Sequence, residues 1–111
     1  MNNTHSIYII ILNWNNVPDT VDCLDSLNKI DKENYQIILV NNDVEDFPVD
    51  IQRRFGRLTV INNRNNLGFC KGNNIGIQLA LEKKADYILI LNNDTIIEPG
   101  FLKPLIEYSS C

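Results

Sequence analysis

The sequence predicts an α/β domain built on a mainly parallel sheet with helices on both faces. Four short runs rich in β-branched and aliphatic residues punctuate the chain, at 7–12, 35–40, 58–61 and 87–91. The first, second and fourth are almost continuously apolar instead of alternating, which is the pattern of strands covered on both faces. Stripes at helical spacing lie between them, and strands that alternate with helices favour right-handed parallel crossovers.

The run 7–12 reads as a buried strand. It lacks a basic flank and leads into Asn13-Trp14-Asn15 instead of a small-residue cleavage site, so it is not read as a leader. Val17-Pro18-Asp19 opens a crossover helix in which Val21, Leu24, Leu27 and Ile30 recur on one face. Pro18 suits its first turn, and Asp19 and Asp22 lie near its positive end. After the second run, the polar segment 43–57, which carries Pro48, shows no clear element. Stretch 73–84 places Ile75 and Leu79, with Ile77, Ala80 and Leu81 adjoining, on one broad face, and Glu82, Lys83 and Lys84 at its solvent end. This is a second crossover helix. Beyond the fourth run, Glu98-Pro99-Gly100 opens a last amphipathic stretch with Phe101, Leu102, Leu105 and Ile106.

A single domain over 1–111 is expected, because this length buries one core and is short for a two-part enzyme. No run approaches the roughly 18 apolar residues of a membrane span. The net charge of −4, with no basic stripe beyond Arg53-Arg54-Arg57, argues against a nucleic-acid partner. Cys23, Cys70 and Cys111 are odd in number, far apart and without CxxC spacing, so a reducing cytoplasm is expected instead of a disulfide framework. His5, the only histidine, falls in a polar N-terminal stretch and is assigned no role.

Asparagine carries the strongest signal. Of 17 copies, eleven follow directly on the four runs: Asn13, Asn15, Asn16, Asn41, Asn42, Asn62, Asn63, Asn65, Asn66, Asn92 and Asn93. Ligands bind at the carboxyl ends of strands in open parallel sheets, so these amides would line one crevice suited to hydroxyls and carbonyls. Turn tolerance and helix capping account for about half of them. Asp94 leaves an apolar run beside Asn92 and Asn93, an all-oxygen environment that suits Mg2+ or Mn2+ with positions left for phosphates; the competing role is a turn cap. Gly68, Gly72 and Gly76 stand at the mouth of the second crossover helix, where backbone amides could face an anion, and Lys71 is either a phosphate partner or, as the default, an exposed lysine on a solvated loop. The pattern is neither a Walker motif nor a dinucleotide fingerprint.

Four blocks, in order, resemble the N-terminal half of family 2 glycosyltransferases, especially the rhamnosyltransferase-like group. They are Ile11-Leu12-Asn13-Trp14-Asn15; Tyr35 through Val40-Asn41-Asn42; Asn66-Leu67-Gly68-Phe69 through Asn73-Asn74-Ile75-Gly76; and Leu91-Asn92-Asn93-Asp94-Thr95. The resemblance covers essentially the whole chain. It implies the nucleotide-sugar-binding half of a GT-A fold, a Rossmann-like α/β unit, and sugar transfer from a nucleoside diphosphate to an acceptor hydroxyl with inversion. Asp94 and Asn92 would then be the ends of a DxD-type motif, Asp94 as metal ligand and Asn92 at ribose or metal-bound water. Leu12, Asn13, Trp14 and Asn15 would pass under base and ribose. Asn66, Gly68, Lys71, Asn74 and Asn93 would shape the donor site.

The family's usual Asp-Asn pair after the second strand is Asn41-Asn42 here. Asn41 is expected to meet a uracil or thymine edge in place of the acid, with Asp43 and Asp46 close by. The family's general base lies in a second half, so residues 1–111 alone are expected to bind donor and transfer little. The resemblance further implies a dTDP- or UDP-sugar donor, a glycan or lipid-linked acceptor, and work at the cytoplasmic face of a membrane in cell-surface polysaccharide synthesis. The alternative is a non-catalytic nucleotide- or sugar-binding module on the same scaffold. A receiver or flavodoxin-like domain fits poorly, since asparagines stand where acids or a Ser/Thr-rich loop would follow the first strand.

Overall fold

The apolar runs become adjacent strands, and the two central ones bury both of their faces. In the computed structural model, which describes residues 6–29 and 35–96, the elements are β1 (Ile7–Asn13), α1 (Val17–Leu27), β2 (Tyr35–Asn41), α2 (Val49–Gln52), β3 (Leu58–Asn62), α3 (Phe69–Glu82) and β4 (Tyr87–Leu91). The sheet is parallel throughout, in the order β3-β2-β1-β4. The expected α/β architecture is therefore the one observed.

Alternation along the strands divides the core in two. Ile7, Ile9 and Ile11, with Tyr35, Ile37 and Leu39, pack against Cys23, Leu24 and Leu27 of α1, and Phe47 and Phe55 of the β2–β3 connection complete that layer. Ile10, Ile38 and Val40 face the other way, onto Ala80 and Ile77 of α3. Asn16 caps α1, its Oδ1 accepting from Asp19 N at 3.4 Å, with proline in the first turn as the sequence suggests. The helix ends at Leu27 instead of reaching Ile30, which lies outside the described residues. Segment 43–57 holds only the short α2. The stretch 98–106, His5 and Cys111 also lie outside the described residues. No helix among the described residues is long and apolar enough to cross a membrane.

The second crossover helix differs from its sequence reading in both start and face. It begins at Phe69, one turn earlier than expected, behind Gly68 at φ 87. Its buried positions are Gly72, Asn73, Gly76 and Ala80, while Leu81 is exposed. Small residues make the closest approach to the sheet, with Ile77 and Leu79 of the expected aliphatic face packing beside them, and they let the helix axis come near β1 and β2. A Cβ on Gly76 would lie 2.7 Å from Ile10 Cγ2 and 3.0 Å from Val40 Cγ2; one on Gly72 would lie 2.6 Å from Leu12 Cδ1. Thus Gly72 and Gly76 serve helix–sheet packing, and only Gly68 stands at the helix mouth. Alanine at a helical glycine normally stabilises by about 1 kcal/mol. Here both clashing methyls are β-branched and fixed on buried strands, so Gly76→Ala is expected to destabilise by about 1–2 kcal/mol instead, read as a lower urea midpoint at unchanged slope.

Candidate functional site

In-register pairing sets three asparagines side by side: Asn13 is opposite Asn41, and Asn41 is opposite Asn62. Their amides form a ladder across the strand ends. Asn13 Nδ2 donates to Asn41 Oδ1 at 2.9 Å, and Asn41 Nδ2 donates to Asn62 Oδ1 at 3.0 Å. Thr20 Oγ1 extends the chain, donating to Asn13 Oδ1 at 2.7 Å and accepting from Asn93 Nδ2 at 3.1 Å. All four strand ends are thereby tied together by neutral amides and one hydroxyl. Fixed groups determine which way each amide points: Phe47 N donates to Asn62 Oδ1, and Glu45 O accepts from Asn41 Nδ2.

Asn13 and Asn41 are fully buried and belong to this frame. Both N–H groups of Asn41 are used, by Glu45 O and Asn62, and its oxygen also accepts from Asp43 N. No hydrogen-bonding capacity remains to meet a base edge, so the structure does not bring Asn41 into the site as the sequence suggests. Asp43, two residues on, lines a surface recess. Its Oδ2 accepts from Asn13 Nδ2 at 3.0 Å and its Oδ1 from Asn15 N, which leaves each oxygen able to accept further. Asp46 is engaged elsewhere: Arg64, with a left-handed φ of 60, grips it bidentately at 2.8 and 3.1 Å. That guanidinium holds the Asp46 carboxyl below the usual carboxylate range.

Above the ladder lie two recesses that share one wall, the exposed indole of Trp14. The first, about 280 Å³, is bounded by Leu12, Asn16, Phe69 and the β4 exit with Asn92, Asn93 and Asp94. The second, about 530 Å³, is bounded by Asn15, Asn42, Asp43, Glu45, Asn65 and Asn66. The first recess carries Asp94, and the second carries Asp43 and Glu45. Asp94 is exposed, and a turn closed by Thr95 N to Asn92 O at 3.1 Å presents it. Asn93 is anchored through Nδ2 on Thr20, and its Oδ1 has no partner among the described residues. Burial, and after it the Asp94 charge, pushes the Cys23 thiol up to about 11, so this cysteine stays protonated at neutral pH. Among the described residues no three His, Cys, Asp or Glu side chains converge as a metal cage.

Of the residues singled out in the sequence, Leu12, Trp14, Asn15, Asn66, Asn92, Asn93 and Asp94 line these recesses. Gly68 shapes the rim: its N–H donates to Asn66 Oδ1 at 3.0 Å and its carbonyl accepts from Asn42 Nδ2 at 3.2 Å. Lys71 and Asn74 instead line a separate recess on the flank of α3. The helix starts one turn early, and that phase carries both side chains away from the cleft. Sequence reasoning did not single out Thr20 or Phe69, and it weighed Asn41 ahead of Asp43, which is the one of the two that lines a recess. The alternation of β1 and the capped start of α1 were the available signals for Thr20.

Residues 8–110 match the family described as Glycosyl transferase family 2. The chain is 28% identical over 103 residues to the uncharacterized glycosyltransferase YwdF of Bacillus subtilis, covering 91% of this chain and 37% of that protein. It is 27% identical to the dTDP-rhamnosyl transferase RfbF of Shigella flexneri, covering 93% of this chain and 34% of that one. The chain thus spans about a third of the length of the curated relatives it matches. The crystal structure of S. aureus TarS 1-349 superposes with a TM-score of 0.74 at 21% identity, over 95% of this chain and 32% of that one, so the two share a fold. With the family matched along nearly its whole length, on the parallel sheet that the resemblance implied, the chain belongs to glycosyl transferase family 2.

Proposed function

We propose that this chain is the donor-binding part of a glycosyltransferase that moves a sugar from a nucleoside diphosphate to an acceptor hydroxyl, with inversion at the anomeric carbon. One observation carries the reading: two recesses divided by one exposed tryptophan, with Asp94 in the first and Asp43 and Glu45 in the second. A nucleoside in the second recess stacks on Trp14 and presents an N–H to Asp43, which accepts hydrogen bonds and cannot donate them. The diphosphate then crosses the Trp14 ridge into the first recess. The single exposed carboxylate of Asp94, with the amide oxygens of Asn92 and Asn93, suits Mg2+ or Mn2+, ions that keep open positions for phosphate oxygens. When bound there, such an ion would neutralise charge on the departing diphosphate. The chain's own residues orient the base, hold the ribose over Leu12 and Trp14, and keep the leaving group in the cleft.

The name of the Shigella relative favours a dTDP-sugar, with a UDP-sugar as the close second. A glycan or lipid-linked acceptor and a place at the cytoplasmic face of the membrane complete the reading. The general base belongs to the family's second half, so residues 1–111 alone bind donor nucleotide and transfer little sugar. Calorimetric titration tests the site. UDP and dTDP are expected to bind at least roughly tenfold tighter than CDP, whose N3 accepts where Asp43 needs a donor. Trp14→Ala weakens all of them by about tenfold through lost stacking. Equal binding of UDP and CDP removes Asp43 from base reading, and no binding of any nucleotide overturns the proposal.

A further inference from the structure

Beside β3, α3 bears a recess of about 510 Å³ that the nucleotide cleft does not include. Ile61 of β3 forms one side, and Ile75 and Leu79 of α3 form the apolar floor. Asn74 and Gln78 flank them, and the ends of the stripe are Lys71 and Glu82. Positions 71, 74, 75, 78, 79 and 82 follow helical spacing, so they make one continuous face about 16 Å long. Both end charges are exposed, and neither makes a salt bridge among the described residues. Glu82 receives only a 3.5 Å contact from Gln78 Nε2.

The charge pattern selects the occupant. We propose that a second copy of this chain docks on this face, α3 against α3 and antiparallel, about a two-fold axis between Ile75 and Gln78. That symmetry sets Lys71 of each copy against Glu82 of the other, so the end charges are self-complementary, and it covers Leu79 and Ile75 with the facing Asn74 and Gln78. A parallel, in-register pairing would oppose lysine to lysine and glutamate to glutamate. Only the antiparallel arrangement satisfies both ends while burying Ile75 and Leu79. The two clefts remain accessible, since neither shares a lining residue with this stripe and α3 contributes only its first residue, Phe69, to the first of them.

Sedimentation equilibrium on the chain 1–111 tests the arrangement, with Lys71→Glu, Glu82→Lys and the double variant. Both positions are exposed, so folding is not at stake, and circular dichroism verifies it. The wild type is expected to dimerise reversibly. Each single reversal turns two attractive contacts into two repulsive ones and weakens the dimer by roughly tenfold or more. The double variant restores the attraction and recovers affinity to within about threefold of wild type. A wild type that is monomeric at every concentration overturns the proposal. So does a dimer indifferent to the single reversals, which would lie on another surface such as the β4 edge, and so does a double variant no tighter than the singles.

Discussion

Replacing Asn41 with aspartate, the residue that family 2 enzymes commonly carry at this point, is expected to destabilise this chain by about 3 kcal/mol at neutral pH. Asn41 is fully buried, and both of its N–H groups point at acceptors, Glu45 O at 2.9 Å and Asn62 Oδ1 at 3.0 Å. Asn62 cannot turn to offer its own N–H, because Phe47 N holds its oxygen at 2.9 Å. A carboxylate placed there sets an oxygen against two oxygens, and the Asp43 carboxylate stands close by on the other side of Asn13. The acid position was legible in the sequence; the ladder that forbids an acid was not.

The deficit depends on pH, and its sign follows from proton binding. An aspartate held against acceptors in the folded chain has a folded pKa above the unfolded value of about 3.9. Between the two values the folded state binds more protons, so stability falls as pH rises from about 4 through the folded pKa. At or below about pH 4 the protonated Asn41→Asp side chain donates one hydrogen bond and recovers part of the loss. Urea denaturation of wild type and variant at acid and neutral pH reads this as a gap in midpoint that widens toward neutrality. An equal gap at both pH values assigns the loss to shape instead of charge. A variant as stable as wild type shows that the amides do not form the ladder.

The same residues show how far sequence reasoning reaches. Uninterrupted apolar runs at β1, β2 and β4 announce a parallel sheet because burial on both faces leaves no room for alternation. Strand order and register are less visible, since helical crossovers of different length set them, and a single residue of slip would separate Asn13 from Asn41. Glycine is ambiguous for a physical reason: it permits close approach either to a phosphate or to a packed strand. Gly72 and Gly76 fall into the second class only once α3 is known to begin at Phe69. The same shift of one turn carries Lys71 out of the cleft and onto the flank. Asp94, Asn92 and Trp14 needed no such phase, because each follows its strand directly and emerges where the strand ends.

Removal of the Asp94 carboxylate provides the opposite signature. Asp94 is exposed, and no hydrogen bond of the described residues depends on it, so Asp94→Ala is expected to melt within about 2 °C of wild type. Nucleotide binding in the presence of Mn2+ is expected to fall by roughly a hundredfold, about 2.7 kcal/mol, toward the affinity seen with chelator. Without the metal, wild type and variant should bind UDP alike or the variant slightly tighter, since a negative charge near the diphosphate has been removed. A second readout needs no ligand. The Asp94 charge contributes to the raised Cys23 thiol, so its loss lowers that pKa from about 11 while burial, the larger cause, keeps it above an exposed cysteine. A downward shift in Cys23 titration with unchanged nucleotide affinity would mean that Asp94 lies near Cys23 but holds no metal. Loss of metal-dependent affinity without loss of stability, set beside loss of stability in Asn41→Asp, would separate the group that meets the donor from the frame that positions it.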